Sequence, residues 1–199
     1  GRSVSEASAT GTLEQALAHA THLLERDPAL ATEQLDEILQ VAEGHPAALR
    51  LLARARSLQA DVPGALQILI PLAQGQPTWA LLHFDLGVAL GRAGRGQQAI
   101  DALRRAVALK PDLPQAWREL GDHLLAAGEQ EAADAAYANH VRHSTRDPRL
   151  IEAAIALAEN RIPTAEGLLR EHLKQAPTDV AAIRMFAEVA ARVGRNEEA

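Results

Sequence analysis

The chain has no cysteine. That removes disulfides, thiolate nucleophiles, iron–sulfur clusters and thiolate zinc sites in one step, and leaves the compartment open. Aromatic residues are scarce, 3% of 199, and a sheet built with so few aromatic side chains is poorly supported. Serine and threonine fall in tails and caps such as Thr145 and Thr178. There is no Gly-x-Ser-x-Gly elbow and no glycine-rich phosphate loop following a strand. Long apolar runs are missing too: Leu66 to Ala73 is interrupted by Gln67 and Pro71, far short of the roughly 20 residues that span a bilayer. Basic residues are not in excess, 20 Lys and Arg against 26 Asp and Glu for a net charge of -6. This is the wrong sign for binding a phosphate backbone by counterion release. Neither a membrane nor a nucleic acid is therefore expected as a partner.

What the chain does have is alanine and leucine, 42 and 29 residues respectively. Both are strong helix formers, so the expectation is an all-α protein. Residues 1–11 are small and polar with no initiator Met, and read as a disordered tail or tag remnant outside the fold.

Prolines and glycines divide the rest into apolar-periodic segments of helix length that come in pairs. The spacing repeats: Ala53, Ala65 and Pro77 are twelve and twelve apart, as are Gly87, Ala99 and Pro111. The period of about 34 residues predicts a repeat array. Its units fall near 12–45, 46–79, 80–113, 114–146 and 147–179, with a half-repeat at 180–199.

On these positions the sequence resembles the tetratricopeptide repeat family. Leu86-Gly87, Leu90, Gly94, Ala99, Leu103, Ala106 and Pro111 fall on its pattern, and so do Trp117, Leu120-Gly121, Leu124, Gly128, Ala133 and Tyr137. The resemblance implies a right-handed α-solenoid of antiparallel helix pairs, a superhelix with first helices lining the concave side. Gly87, Gly121, Ala53, Ala154 and Ala187 would sit where first and second helices approach most closely, met from the second helix by Ala65, Ala99, Ala133 and Ala165.

The punctuation has a physical reading. Pro28, Pro63 and Pro163 suit the first turn of a second helix, Gly94 and Gly128 suit a left-handed residue ending a first helix, and Pro77, Pro111 and Pro177 end second helices. Pro71 falls inside a helix and predicts a kink or a loosened hydrogen bond. Three departures stand out: His140 where Ala is usual, Glu43 for the expected proline, and a proline displaced to Pro148. Ala20 to Ala31 and Ala154 to Ala165 are eleven apart, which predicts turns one residue short in the first and fifth pairs.

No catalytic or cofactor constellation emerges, and the chain is expected not to be an enzyme. The pairs His19/His22 and His140/His143 have helix-face spacing but lack a third ligand, so no metal is expected. Gly91 to Gly96 (GRAGRG) reads as an inter-helix turn. Function then falls to surface recognition: a groove binding a protein or peptide partner, with candidate residues Arg50, Arg54, Phe84, Asp85, Arg118, Asp122, Arg184 and Glu188. Some family members clamp a C-terminal carboxylate; here Asp85 and Glu119 stand at clamp positions and would repel one.

The segment from His143 to Ala199 and the first unit, LLERDPALATEQLDEILQVAEGHPAALRLL, also resemble the repeat region of bacterial proteins that join tetratricopeptide repeats to a C-terminal sulfotransferase domain. That likeness implies a non-catalytic, substrate-docking or regulatory part of such an enzyme. A third expectation is self-association through the C-terminal helix, with Val180, Ile183, Phe186 and Val189 exposed to a neighbour. A cytoplasmic location goes with all three readings.

Overall fold

The structure is a computed structural model that describes the backbone of residues 4–198 and the side chains of residues 11–195. Among the described residues there are eleven helices and no strand. The chain divides into two compact units, Gly1–Ala102 and Leu103–Ala199, and the division falls within α6.

The first unit holds α1 (Val4–Leu24), α2 (Pro28–Val41), α3 (Pro46–Leu58), α4 (Val62–Gly75), α5 (Ala80–Arg92) and the start of α6 (Gly96–Leu109). Each helix packs on the next through α5, and α3 also touches α1 and α5. Two clusters fill it, one around Leu24, Leu35 and Leu52, the other around Leu66, Leu69, Leu82 and Leu90, with alanines such as Ala31, Ala48, Ala53 and Ala65 fully buried between them. The second unit holds the rest of α6, then α7 (Pro114–Ala126), α8 (Gln130–Ser144), α9 (Pro148–Ala158), α10 (Ile162–Gln175) and α11 (Val180–Glu198). Its core joins Val141, Leu150, Leu157, Leu169, Met185 and Val189 across α8 to α11. Leucine supplies the volume, each buried side chain contributing about 1.5–3 kcal/mol, and alanine sets how closely the helices approach.

Four turns within helix pairs are closed in one way. The amide after the helix cap bonds three residues back and the next amide five back: Ala60 to Ser57 and Asp61 to Arg56, Gly94 to Gly91 and Arg95 to Leu90, Gly128 to Leu125 and Glu129 to Leu124, Asn160 to Leu157 and Arg161 to Ala156. This is the Schellman closure, which needs a left-handed residue. Gly94 (φ 75) and Gly128 (φ 81) supply it as their sequence position predicts, while Ala60 (φ 62) and Asn160 (φ 58) adopt the same conformation with a side chain.

Several expectations are corrected. The helix α1 begins at Val4, so most of the segment read as a disordered tail has helical backbone, consistent with its Ala, Ser and Glu content; residues 1–3 lie outside the described residues. The turn of the fifth pair is full length, and α9 is shorter instead, 11 residues against 13 in α7. Measured from the turn, Ala153 rather than Ala154 stands level with Gly121, and Ala153 is fully buried. The first pair does close more tightly, Asp27 N–H reaching only four residues back to Leu23. Pro148 is not a displaced terminator: it opens α9, as Pro46 and Pro114 open α3 and α7, where a missing N–H leaves nothing unpaired. Pro71 lies within a continuous α4. Both Pro71 and Gln67, whose carbonyl loses its helical partner, are exposed, so water can meet that carbonyl.

Candidate functional site

In the first unit the sequence-derived residues converge on α3 and α5. The Arg50 guanidinium reaches Asp85 at 2.5 Å across the two helices, and it lies over the Trp79 ring, 5.6 Å from the centroid. Both members of the pair are largely buried, 15% and 11% exposed. Burial pushes the Asp85 carboxyl above its ordinary value, against the opposing pull of Arg50 and, more weakly, Arg54. The pair therefore fastens α3 to α5, and its charges are committed inside the protein. Arg54 and Phe84 are half-buried and remain the residues of this set that can reach a partner. Nearby, His83 Nε2 bonds the Pro77 carbonyl at 3.0 Å. One repeat later the Trp117 indole N–H donates to the Pro111 carbonyl at 2.7 Å, so in α5 and α7 a ring at this position ties the helix to the proline six residues before it.

In the second unit the Tyr137 hydroxyl of α8 donates to Asp122 of α7 at 2.6 Å. Burial, then this bond to a carboxylate, push the phenol well above its ordinary value, and Arg184 and Glu188 of α11 are close enough to act on it as well. Asp122 thus holds this hydroxyl directly, and Arg184 and Glu188 act on it only through their charges. Arg118 is exposed on α7. Glu188 is also engaged inward, accepting from Arg192 at 2.9 Å and standing 3.5 Å from Arg195.

Sequence periodicity passed over the polar groups that matter most to this unit. Arg192 is 8% exposed; its guanidinium meets Asp134 of α8 at 2.5 Å, Glu188 of α11, and the Leu157 carbonyl of α9 at 3.0 Å. Burial opposes its charge, and the carboxylates of Glu188 and Asp134 outweigh that opposition. Gln130 donates to Asp134 at 2.9 Å. A signal was present: Met185, Val189 and Arg192 share one helical stripe, and a charge on the apolar stripe of a helix has to find partners inside.

The histidines have structural roles of the same kind. His140 Nδ1 bonds the Pro114 carbonyl at 2.7 Å, which accounts for a polar ring where the repeat pattern has alanine. His172, buried seven residues after Ala165 as His140 is after Ala133, stands between two aspartates: Nδ1 lies 3.3 Å from Asp147 and Nε2 2.9 Å from Asp179. Each aspartate also caps a helix, Asp147 accepting from the Arg149 amide of α9 and Asp179 from the Ala181 and Ala182 amides of α11. One imidazole of α10 thereby fixes the start of the helix on either side. Among the described residues no group of three or more His, Asp or Glu could hold a metal ion, and no helix is long and apolar enough to cross a membrane.

On α11 the expected exposed face is corrected in part. Val180 and Ile183 are exposed, but Val189 is 2% exposed within the core, and Phe186 packs against that core beneath the Arg170 guanidinium, 5.1 Å from its ring centroid.

A family model described as tetratricopeptide repeat matches residues 79–123. A search of curated proteins finds no match. Among solved structures, the chain is similar to PilF of Pseudomonas aeruginosa, with TM-score 0.68, 19% identity, and coverage of 88% of this chain and 82% of that one. It is similar to MamA, with TM-score 0.60, 20% identity, and coverage of 88% and 94%. A thermophilic tetratricopeptide repeat protein of Thermus thermophilus aligns with TM-score 0.60 and 22% identity over 90% of this chain and 99% of that one. At such identities the likeness shows the fold alone, and that fold is an all-α helical repeat of the tetratricopeptide type.

Proposed function

We propose that this chain is a protein-interaction scaffold whose units, with repeats near 12–45, 46–79, 80–113, 114–146, 147–179 and a half-repeat at 180–199, bind a partner segment on the faces of their first helices. The observation that carries the reading is the Arg50–Asp85 pair with its Trp79 lid. It holds α3 and α5 in fixed register with Arg54 and Phe84 half-exposed on the same two helices, and a rigid platform with an adjacent aromatic and guanidinium suits anchoring of a peptide. In the second unit Arg118, Asp122 and Arg184 supply the corresponding polar contacts.

The test is selection of binding peptides from a displayed library, followed by affinity measurements on variants of the whole chain. Phe84→Ala, Arg54→Ala and Arg118→Ala should each weaken binding by about tenfold or more, in line with the loss of one anchor, with helix content unchanged by circular dichroism. Arg50→Ala should lower stability as well, because Arg50 is a fastening residue. Unchanged affinity in all three surface variants would remove the first-helix faces from consideration. The alternative, a non-catalytic part of a sulfotransferase, rests on the sequence resemblance of the first unit and of residues 143–199.

A further inference from the structure

In α7 the face centred on Gly121 is covered by α8, whose Tyr137 ring stands where a Cβ would be. Among the described residues no helix covers the corresponding face of α11. Val180, Ile183, Ala187, Ala190, Ala191 and Gly194 form one exposed stripe along it, opposite the buried stripe of Ala182, Met185, Val189 and Arg192. Val180, Ile183, Ala187 and Gly194 follow one another at intervals of three, four and seven residues, with Ala190 and Ala191 on either side of that line, the spacing of a seam made to receive another helix. Nothing lies within 4 Å of a Cβ position on Gly194.

The stripe is graded in size, branched residues in its first half and alanine and glycine in its second. We propose that two copies of this chain associate by antiparallel pairing of their α11 helices about a two-fold axis at Ala187. Three features favour a second copy as the occupant. Antiparallel pairing about Ala187 sets Val180 of each copy opposite Gly194 of the other and Ile183 opposite Ala191, large against small along the whole seam, whereas parallel pairing would set large against large. Ala187 meets its own counterpart on the axis, where a small residue allows the backbones to approach. Charge is complementary as well. Residues related by a two-fold axis face each other on the same side of the seam, so Arg184, which is exposed, stands within about 3 Å along the axis of Glu188 in the other copy, given a rise of about 1.5 Å per residue. The internal contacts of Glu188 with Arg192 and Arg195 both run through its Oε1 atom. The arrangement reproduces between copies the antiparallel geometry that α7 and α8 make within one, and it goes beyond the peptide-binding reading above, on which it does not depend.

The absence of cysteine from the chain makes the register directly testable. Light scattering on the unmodified chain should give twice the monomer mass at high concentration, and Ile183→Glu, at an exposed position, should return it to monomer with helix content unchanged. Under mild oxidation Ala187→Cys should form a disulfide-linked dimer about tenfold faster than the control Lys174→Cys, because only paired cysteines on the axis meet the distance limit of a disulfide. A monomer at all concentrations overturns the proposal. A dimer in which the cysteine at 187 links no faster than the control also overturns it, by moving the contact to another surface, such as the open depression lined by Leu13, Ala16, Ile38 and Val41.

Discussion

Tyr137 occupies the space that a side chain on Gly121 would need: a Cβ there would stand 2.6 Å from Tyr137 Cε1 and 2.8 Å from Cδ1. The ring cannot swing away freely, because its hydroxyl is held by Asp122. Two effects oppose each other in Gly121→Ala. Alanine favours a helix interior over glycine by about 1 kcal/mol, and overpacking a fitted contact costs about 1–3 kcal/mol. Since the obstacle is a tethered ring, overpacking should prevail and Gly121→Ala should lower unfolding free energy by about 1–2 kcal/mol. In a Tyr137→Ala background the obstacle is gone and the same substitution should stabilise, by about 1 kcal/mol. Urea denaturation of the four proteins measures both, and an unchanged sign would mean that the ring is not what keeps position 121 small.

The left-handed residues at Ala60 and Asn160 make a second prediction. An alanine in that conformation is strained by about 1–2 kcal/mol, and glycine relieves the strain while loosening the unfolded chain by about 0.5–1 kcal/mol. Ala60→Gly should therefore raise stability by up to about 1 kcal/mol, with a smaller gain for Asn160→Gly, since asparagine tolerates the conformation better. Gly94→Ala and Gly128→Ala should move the urea midpoint the other way.

These same turns mark the limit of what the sequence discloses. The helix pairs, their period and the prolines at their ends follow from spacing, because packing demands small residues at fixed levels and proline is tolerated at few positions. Gly94 and Gly128 declare the turn by their identity, whereas Ala60 and Asn160 do not, since the four closing hydrogen bonds are made by backbone and are blind to side chain. For the candidate site, Arg50 and Asp85 could be placed on neighbouring first helices, but not their union, which depends on the rotation of α3 and α5 about their axes. His172 was invisible for a similar reason: its partners Asp147 and Asp179 lie outside α10, at the starts of α9 and α11, and meet its ring only when the three helices are stacked.

Arg192 carries a third prediction. It is buried with Asp134, both side chains being 9% exposed, and removing one member of such a pair strands the other. Arg192→Met should cost about 3–5 kcal/mol. Replacing both, as Asp134→Leu with Arg192→Met, should cost much less than the sum of the single changes, because no charge is then left buried without a partner. A double-mutant cycle by chemical denaturation measures the coupling, and additive effects would show that the two groups act independently.

Acid stability should depend on Asp179. Its carboxyl lies below the ordinary value of 3.8, held there first by the hydrogen bond with His172 and then, against a burial effect of opposite sign, by the Ala182 and Ala181 amides. A carboxyl with a lower pKa in the folded than in the unfolded state binds fewer protons when folded. Stability that it confers is fully present above the unfolded value, about 3.9 for aspartate, and is lost as pH falls through the folded one. Urea midpoints of the unmodified chain should thus fall below about pH 4, with part of that fall missing in Asp179→Asn, which keeps an oxygen to cap α11 but has no charge to titrate. At neutral pH, Asp179→Ala should cost about 1 kcal/mol for the lost cap and more for the buried ring left with an unpaired nitrogen. His172→Ala in the same background should then add less than it does alone, since its bond to Asp179 has already gone and only the Asp147 contact remains to be broken.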